Sequence, residues 1–376
     1  MIILKYAIYP LMVSLIYCQS ALSQSSTSLE ELTKQVNLLQ KKLELVEKEQ
    51  NANVTSITTE ASKKNLKLTP QKNEVRVYAT VRPTFGYIDE NNEKTWDVRD
   101  ALSHTGFKAT SYFKEDWSAV VHGEWGIDLS NNGDFGKARQ VYVALNSPMG
   151  SIGIGKQRPT QYLFIAEYVD IFNHSNSPFS YDPESIFFVD NLITYKLNTG
   201  NITWMLASQF DGSEGDNNSD LTNIGISYDK EAFHTAFTYL NQDHNVEGVK
   251  EGEDEIFAGS LAYEFSNSLY LAIGYQNKNY QRKTEPDSRD GHTIDLSASY
   301  KLTKIFKLKL GVFDFSDGDN STQSRDFNGY NTTLEWLPSS SLRFHIEYLH
   351  REFDYYDDFS SISIGFRYDF SLETKY

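Results

Sequence analysis

Ile362-Ser363-Ile364-Gly365-Phe366-Arg367-Tyr368-Asp369-Phe370 alternates large apolar residues with small or polar ones over its whole length. Successive side chains of a β-strand point to opposite faces, so this run presents one apolar and one polar face. The same period opens at Val75, where Val77, Ala79, Val81, Pro83, Phe85 and Tyr87 alternate with Arg76, Tyr78, Thr80, Arg82 and Thr84. It recurs at Leu269-Leu271-Ile273-Tyr275, Phe306-Leu308-Leu310-Val312 and Leu342-Phe344-Ile346-Tyr348. A soluble sandwich alternates too, so the connections decide. Tight turns at 146–150, 197–201, 229–231, 266–268, 301–304 and 338–341 alternate with longer polar loops at 89–99, 211–219, 243–255, 282–290 and 316–325. Short turns on one side and long loops on the other are the pattern of an outer-membrane barrel. Counting strands from 77 to 370 gives sixteen. The predicted fold is all-β, a 16-stranded antiparallel transmembrane β-barrel. Aromatics at strand ends (Tyr195, Tyr228, Tyr263, Phe265, Tyr300, Trp336, Tyr368, Phe370) suit an interfacial girdle. A barrel of this width leaves an aqueous channel.

Composition agrees. The 376 residues carry 35 basic and 51 acidic side chains, a formal charge of −16, which argues against nucleic acid as a partner. A mean hydropathy of −0.50 excludes a bundle of membrane-spanning helices. One cysteine excludes a disulfide scaffold or a multi-thiolate metal centre. Hydrophobic residues make up only 39%, yet 14% are aromatic, as expected where alternate residues face lipid and water.

Residues 1–23 read as a signal peptide: Lys5, a short apolar stretch from Tyr6 to Tyr17, then Ala21-Leu22-Ser23. Cys18 invites a lipoprotein reading, but bulky Tyr17 opposes it. Residues 24–50 are predicted as a periplasmic coiled-coil segment, because Leu29, Leu32, Val36, Leu39, Leu43 and Val46 follow heptad spacing. The alternative is an amphipathic helix packed on its own domain. A polar linker is expected over 51–74, the barrel over 75–370, and a C-terminal extension over 371–376.

One segment breaks the period. Residues 157–189 carry Phe164, Ile165, Tyr168, Val169, Ile171, Phe172, Phe179, Ile186, Phe187 and Phe188, too many apolar groups for a solvated loop. Inside a wide barrel they can pack on the inner wall.

Several stretches resemble the general diffusion porins of Gram-negative outer membranes. Val77-Tyr78-Ala79 resembles the first strand; His104-Thr105-Gly106-Phe107-Lys108 stands where an Arg-x-Gly-Phe-Lys strand is expected, with Glu115-Asp116 following. The segments 139–145 and 150–157 resemble the central strand pair, and Asp190-Asn191 with Tyr195 the entry to strand six. The resemblance spans 75–370 and is specific over 104–195. It implies a homotrimer with an inward-folded third loop that sets the constriction. Three departures stand out: His104 replaces a wall arginine, Phe188 stands where a basic residue is common, and 371–376 runs past the usual terminal aromatic. Phe370 or Tyr376 is then the assembly signal.

Alternation and the resemblance together place Arg76, Arg82, His104 and Arg139 on the pore wall, facing Glu167, Asp170, Asp182 and Glu184 of the third loop. Glu124 and Asp190 are also expected to point inward. Asp134, Lys137 and Lys156 are candidate trimer contacts. No His-Glu-x-x-His spacing, serine elbow or phosphate loop occurs, so neither metal nor cofactor is expected. The expected function is passive diffusion of ions and small hydrophilic solutes across the bacterial outer membrane, with weak cation selectivity. Surrounding partners are outer-membrane lipid and lipopolysaccharide. The alternatives are a substrate-selective porin for sugars or carboxylates, a barrel hydrolase, and a cell-wall anchoring protein.

Overall fold

The computed structural model describes residues 72–90, 93–130, 133, 135–173, 186–211, 219–246, 249–282, 289–319 and 324–376. The signal peptide, the heptad segment and the linker up to residue 71 lie outside them.

Strands β1 (Lys72–Val81) and β2 (Pro83–Glu90) form one stave interrupted at Arg82. Strands β3 (Glu93–Asp100) and β4 (His104–Lys114) form the next, interrupted at 101–103. Single strands follow: β5 (Trp117–Ile127), β6 (Phe135–Ser147), β7 (Gly150–Gln157), β8 (Val189–Thr199), β9 (Ile202–Gln209), β10 (Leu221–Lys230) and β11 (Phe233–Val246). The circuit continues with β12 (Val249–Glu264), β13 (Leu269–Arg282), β14 (Arg289–Lys301), β15 (Phe306–Ser316), β16 (Phe327–Trp336), β17 (Leu342–Phe353) and β18 (Phe359–Lys375). With two staves each in two pieces, the eighteen segments make the sixteen expected staves. All neighbours are antiparallel, and β18 closes the circuit on β1 and β2. Closure removes the free sheet edges that hydrocarbon would leave unpaired.

The two interruptions are one feature. Pro83 has no N–H to give a ladder, and Leu102 takes a positive φ of 68°. The backbone N–H of Arg82 donates instead to Ser103 Oγ at 2.7 Å, and that of Ala101 to the Arg82 carbonyl at 2.9 Å.

Alternation holds on the outside. Val121, Val143, Ile154, Leu206, Ile224, Leu271, Leu310 and Ile364 are all exposed there, and so are all eight predicted girdle aromatics. Three boundaries differ from expectation. The loops expected at 89–99 and 243–255 are mostly strand, since β2 runs to Glu90, β3 restarts at Glu93, and β11 and β12 reach Val246 and Val249. Above the bilayer both faces of a hairpin meet water, so its residues lose the apolar alternation that marks a strand. The expected extension 371–376 is also strand through Lys375: residues 371–375 pair with 74–78. Tyr376 and Asn73 exchange backbone hydrogen bonds at 2.8 and 3.0 Å. The barrel therefore starts at Lys72, inside the expected linker.

Candidate functional site: the third loop and the inner wall

The third loop leaves β7 at Gln157 and folds inward. Residues 162–166 form a π-helical turn and 167–169 one α-helical turn. Phe164, Ile165 and Val169 pack on a patch of small inward residues, Ala236, Ala258, Ala262 and Ala272, with Met205. Ile165 and Val169 are fully buried, which favours docking by about 1.5–3 kcal/mol each. Two glycines make room. A Cβ on Gly225 would lie 2.6 Å from Thr160 Cγ2, and one on Gly311 would lie 2.8 Å from Phe172 Cζ.

Polar side chains of successive staves then take up the loop's backbone. Asn223 Oδ1 accepts from Gln161 N–H at 2.6 Å, and Gln161 Nε2 donates to Gln276 Oε1 at 3.0 Å. Thr238 bonds Gln161 as well. Ser260 donates to the Phe164 carbonyl at 2.6 Å, Tyr270 to that of Tyr168 at 2.7 Å and Ser297 to that of Val169 at 2.8 Å. Lys309 Nζ donates to the Ile171 carbonyl at 2.6 Å and to Glu335 at 2.7 Å. At the far end Asn173 gives its N–H to Glu347 at 2.9 Å and its amide to Glu335 at 2.8 Å. The loop thus lies along the wall from β10 to β17.

Within this contact Asp229, His234 and Ser260 have the spacing of an acid–base–hydroxyl relay, with 2.6 Å from Asp229 Oδ1 to Nδ1 and 3.1 Å from Nε2 to Ser260 Oγ. The Ser260 hydroxyl, however, gives its proton to the Phe164 carbonyl. Tyr168 covers the imidazole face, ring centres 3.3 Å apart. Ser260 and His234 are both buried, so this trio anchors the loop.

The wall opposite the docked loop, on β1 and β4–β6, is organised around Glu124. Arg139 Nε donates to it at 2.8 Å and Tyr78 OH at 2.8 Å. Having given its one proton to Glu124, Tyr78 accepts from His122 Nε2 at 2.7 Å. His104 Nδ1 donates to the Leu102 carbonyl at 2.8 Å, and its Nε2 lies 3.8 Å from Glu124. Further round, Asp369 takes Arg367 at 2.9 Å, Thr80 at 2.8 Å and Arg343 at 3.6 Å. Where the loop rejoins the wall, the Arg139 guanidinium lies 5.0 Å from the Phe188 ring centre. Arg158 lies 4.0 Å from Tyr162 and 5.1 Å from Phe187.

A family profile described as Gram-negative porin matches residues 52–375. The chain belongs to the Gram-negative porin family. It is therefore an outer-membrane channel protein and not an enzyme. Solved structures share the fold at low identity. The anion-selective porin from Comamonas acidovorans is 15% identical with a TM-score of 0.66, covering 79% of this chain and all of its own. The trimer form of Vibrio cholerae OmpT gives 16% and 0.65, covering 79% and 99%. Salmonella typhi OmpF in complex with daunomycin gives 15% and 0.64, covering 79% and 97%. No curated protein sequence matches the chain.

In this porin the expected site residues fare unequally. Arg76, His104 and Arg139 share the inner face with Tyr78 and Glu124, and Arg82 sits at the stave interruption. Glu167 is exposed on the loop; the surrounding protein raises its carboxyl above the usual range, and nearby Arg158 opposes that shift. Asp170 accepts from Tyr162 OH at 3.2 Å. Asp182, Glu184 and Asp134 lie outside the described residues. Lys137 is exposed at the start of β6. Asp190 corrects the expectation: it pairs with Lys156 at 2.8 Å. Lys156 lies in register with lipid-facing Val141, so Asp190 does not point inward. A bulge between Gly155 and Gln157, with Gly155 at φ 129°, shifts the parity there. Sequence reading did not single out Tyr78, and it set Lys309, Glu335 and Glu347 on the inner wall without foreseeing that they clamp the loop. Strict parity from Leu310, Leu334 and Ile346 marks all three clamp residues as inward.

Proposed function

We propose that this porin is a water-filled channel for passive diffusion of ions and small hydrophilic solutes, weakly cation-selective, working as a homotrimer. The observation that carries the selectivity is the internal pairing of the wall's bases: Arg139 with Glu124, Lys309 with Glu335, and Arg367 with Asp369. These bases add little net field, whereas Glu167 stands exposed on the loop and the whole chain carries −16. An acidic mouth concentrates cations, and salt screens the effect over a Debye length of about 10 Å at 0.1 M.

Reversal potential across a potassium chloride gradient tests this. The wild type should favour potassium, Arg139→Ala should favour it more, and His104→Arg should move toward chloride. Chloride preference in the wild type, or no change in His104→Arg, would defeat the assignment.

For the trimer, the heptad seam at 29–46 would bring three N-termini together in the periplasm, with Lys137 a contact between subunits. Removing 24–71 should weaken the trimer and leave conduction intact. Loss of barrel insertion in that deletion would refute a separable coil.

A further inference from the structure

We propose that Arg139 and Arg158, set around Phe187 and Phe188, form a binding site for aromatic carboxylates on the open wall. The inference rests on the channel reading and names a solute class for it. Both guanidinium centres flank one ring, 5.0 and 5.5 Å from the Phe188 centroid. The two phenylalanine rings meet edge to face at 4.6 Å, and Tyr162 meets Phe187 in the same way at 4.5 Å. A guanidinium stacked on a ring uses its π face, leaving its N–H donors in the plane. Arg139 spends Nε on Glu124. Arg158 makes no hydrogen bond or ion pair among the described residues, and its Nε is buried without an acceptor.

What such a pair lacks is an acceptor matched to its planar fork, and a carboxylate is that acceptor. Phe187 and Phe188 are half-buried, so a planar solute ring can pack against them while its carboxylate meets the arginines. Acetate satisfies only the charge, and benzylammonium only the ring. Small-ion selectivity is a separate property, set by the field of the whole mouth.

The test uses the full-length protein in planar bilayers at fixed potassium chloride, adding benzoate, acetate or benzylammonium to one side. Benzoate should interrupt the current at concentrations about tenfold below either control. Arg158→Ala and Phe188→Ala should bring benzoate to the acetate level. Arg158→Lys, which keeps the charge without the planar fork, should lose most of the preference. Calorimetric titration of the detergent-solubilised protein with benzoate reads the same site without conduction. Its heat should vanish in Arg158→Ala. Equal potency of benzoate and acetate in the wild type, or a preference that survives Arg158→Ala, would overturn the site. A silent bilayer with benzoate binding intact would instead count against the channel reading and support the site.

Discussion

The two sides of the lumen use similar residues to different ends. On β10–β17 lysine, glutamate, serine and asparagine are buried under the third loop and bonded to its backbone. On β1 and β4–β6, arginine, histidine and glutamate pair along the wall, and among the described residues none of these groups bonds to the third loop's backbone. Charge on an inner wall therefore says little by itself. A buried group satisfied by loop carbonyls holds the architecture, and one left with free donors can meet a solute.

Stability should separate the two sides most sharply. Lys309→Met strands Glu335 under the loop and should cost about 3–5 kcal/mol, read as a lower unfolding temperature. Arg158→Met on the open side should cost only about 1 kcal/mol. Equal costs would erase the distinction. Next in size, Glu124→Gln weakens charge-assisted bonds to Arg139 and Tyr78 and should cost about 2 kcal/mol. It also unmasks Arg139, so reversal potential should move toward chloride. A smaller effect concerns pH. A raised carboxyl takes up its proton early on acidification, so the negative charge of Glu167 is lost above the ordinary carboxylate range. Cation preference should then decline before pH reaches that range, and Glu167→Gln should flatten the early part. The smallest effect is expected on the outer face, where breaking Lys156–Asp190 with Lys156→Ala should cost about 0–1 kcal/mol.

The period-2 pattern made the barrel legible because hydrocarbon favours apolar side chains at the outward positions within the bilayer. The loop's inward fold was legible for a related reason: Phe164, Ile165 and Val169 needed a dry surface, and the inward alanines of β11–β13 supply it. Illegible were the features set by backbone partners. The strand at 371–375 exists because β1 pairs with it, and the hairpins above the bilayer carry no apolar stripe. The bulge opposite Gly155 hid the orientation of Asp190, since one extra residue in β8 inverts the parity beyond Leu192. The Glu124 cluster was half visible: its residues were assigned inward, but their pairing depends on distances between strands far apart in sequence.

The account stands or falls on the loop covering one wall while the channel stays open past it. Single cysteines at Glu167 and Ser260, in a background with Cys18 replaced, place one thiol on the exposed loop face and one beneath it. A charged, water-soluble thiol reagent is added while single-channel current is recorded. The account predicts a stepwise current change with Glu167→Cys and none with Ser260→Cys, whose thiol reacts only after unfolding. Equal reaction at both positions, or unchanged current after complete modification of Glu167→Cys, would contradict it.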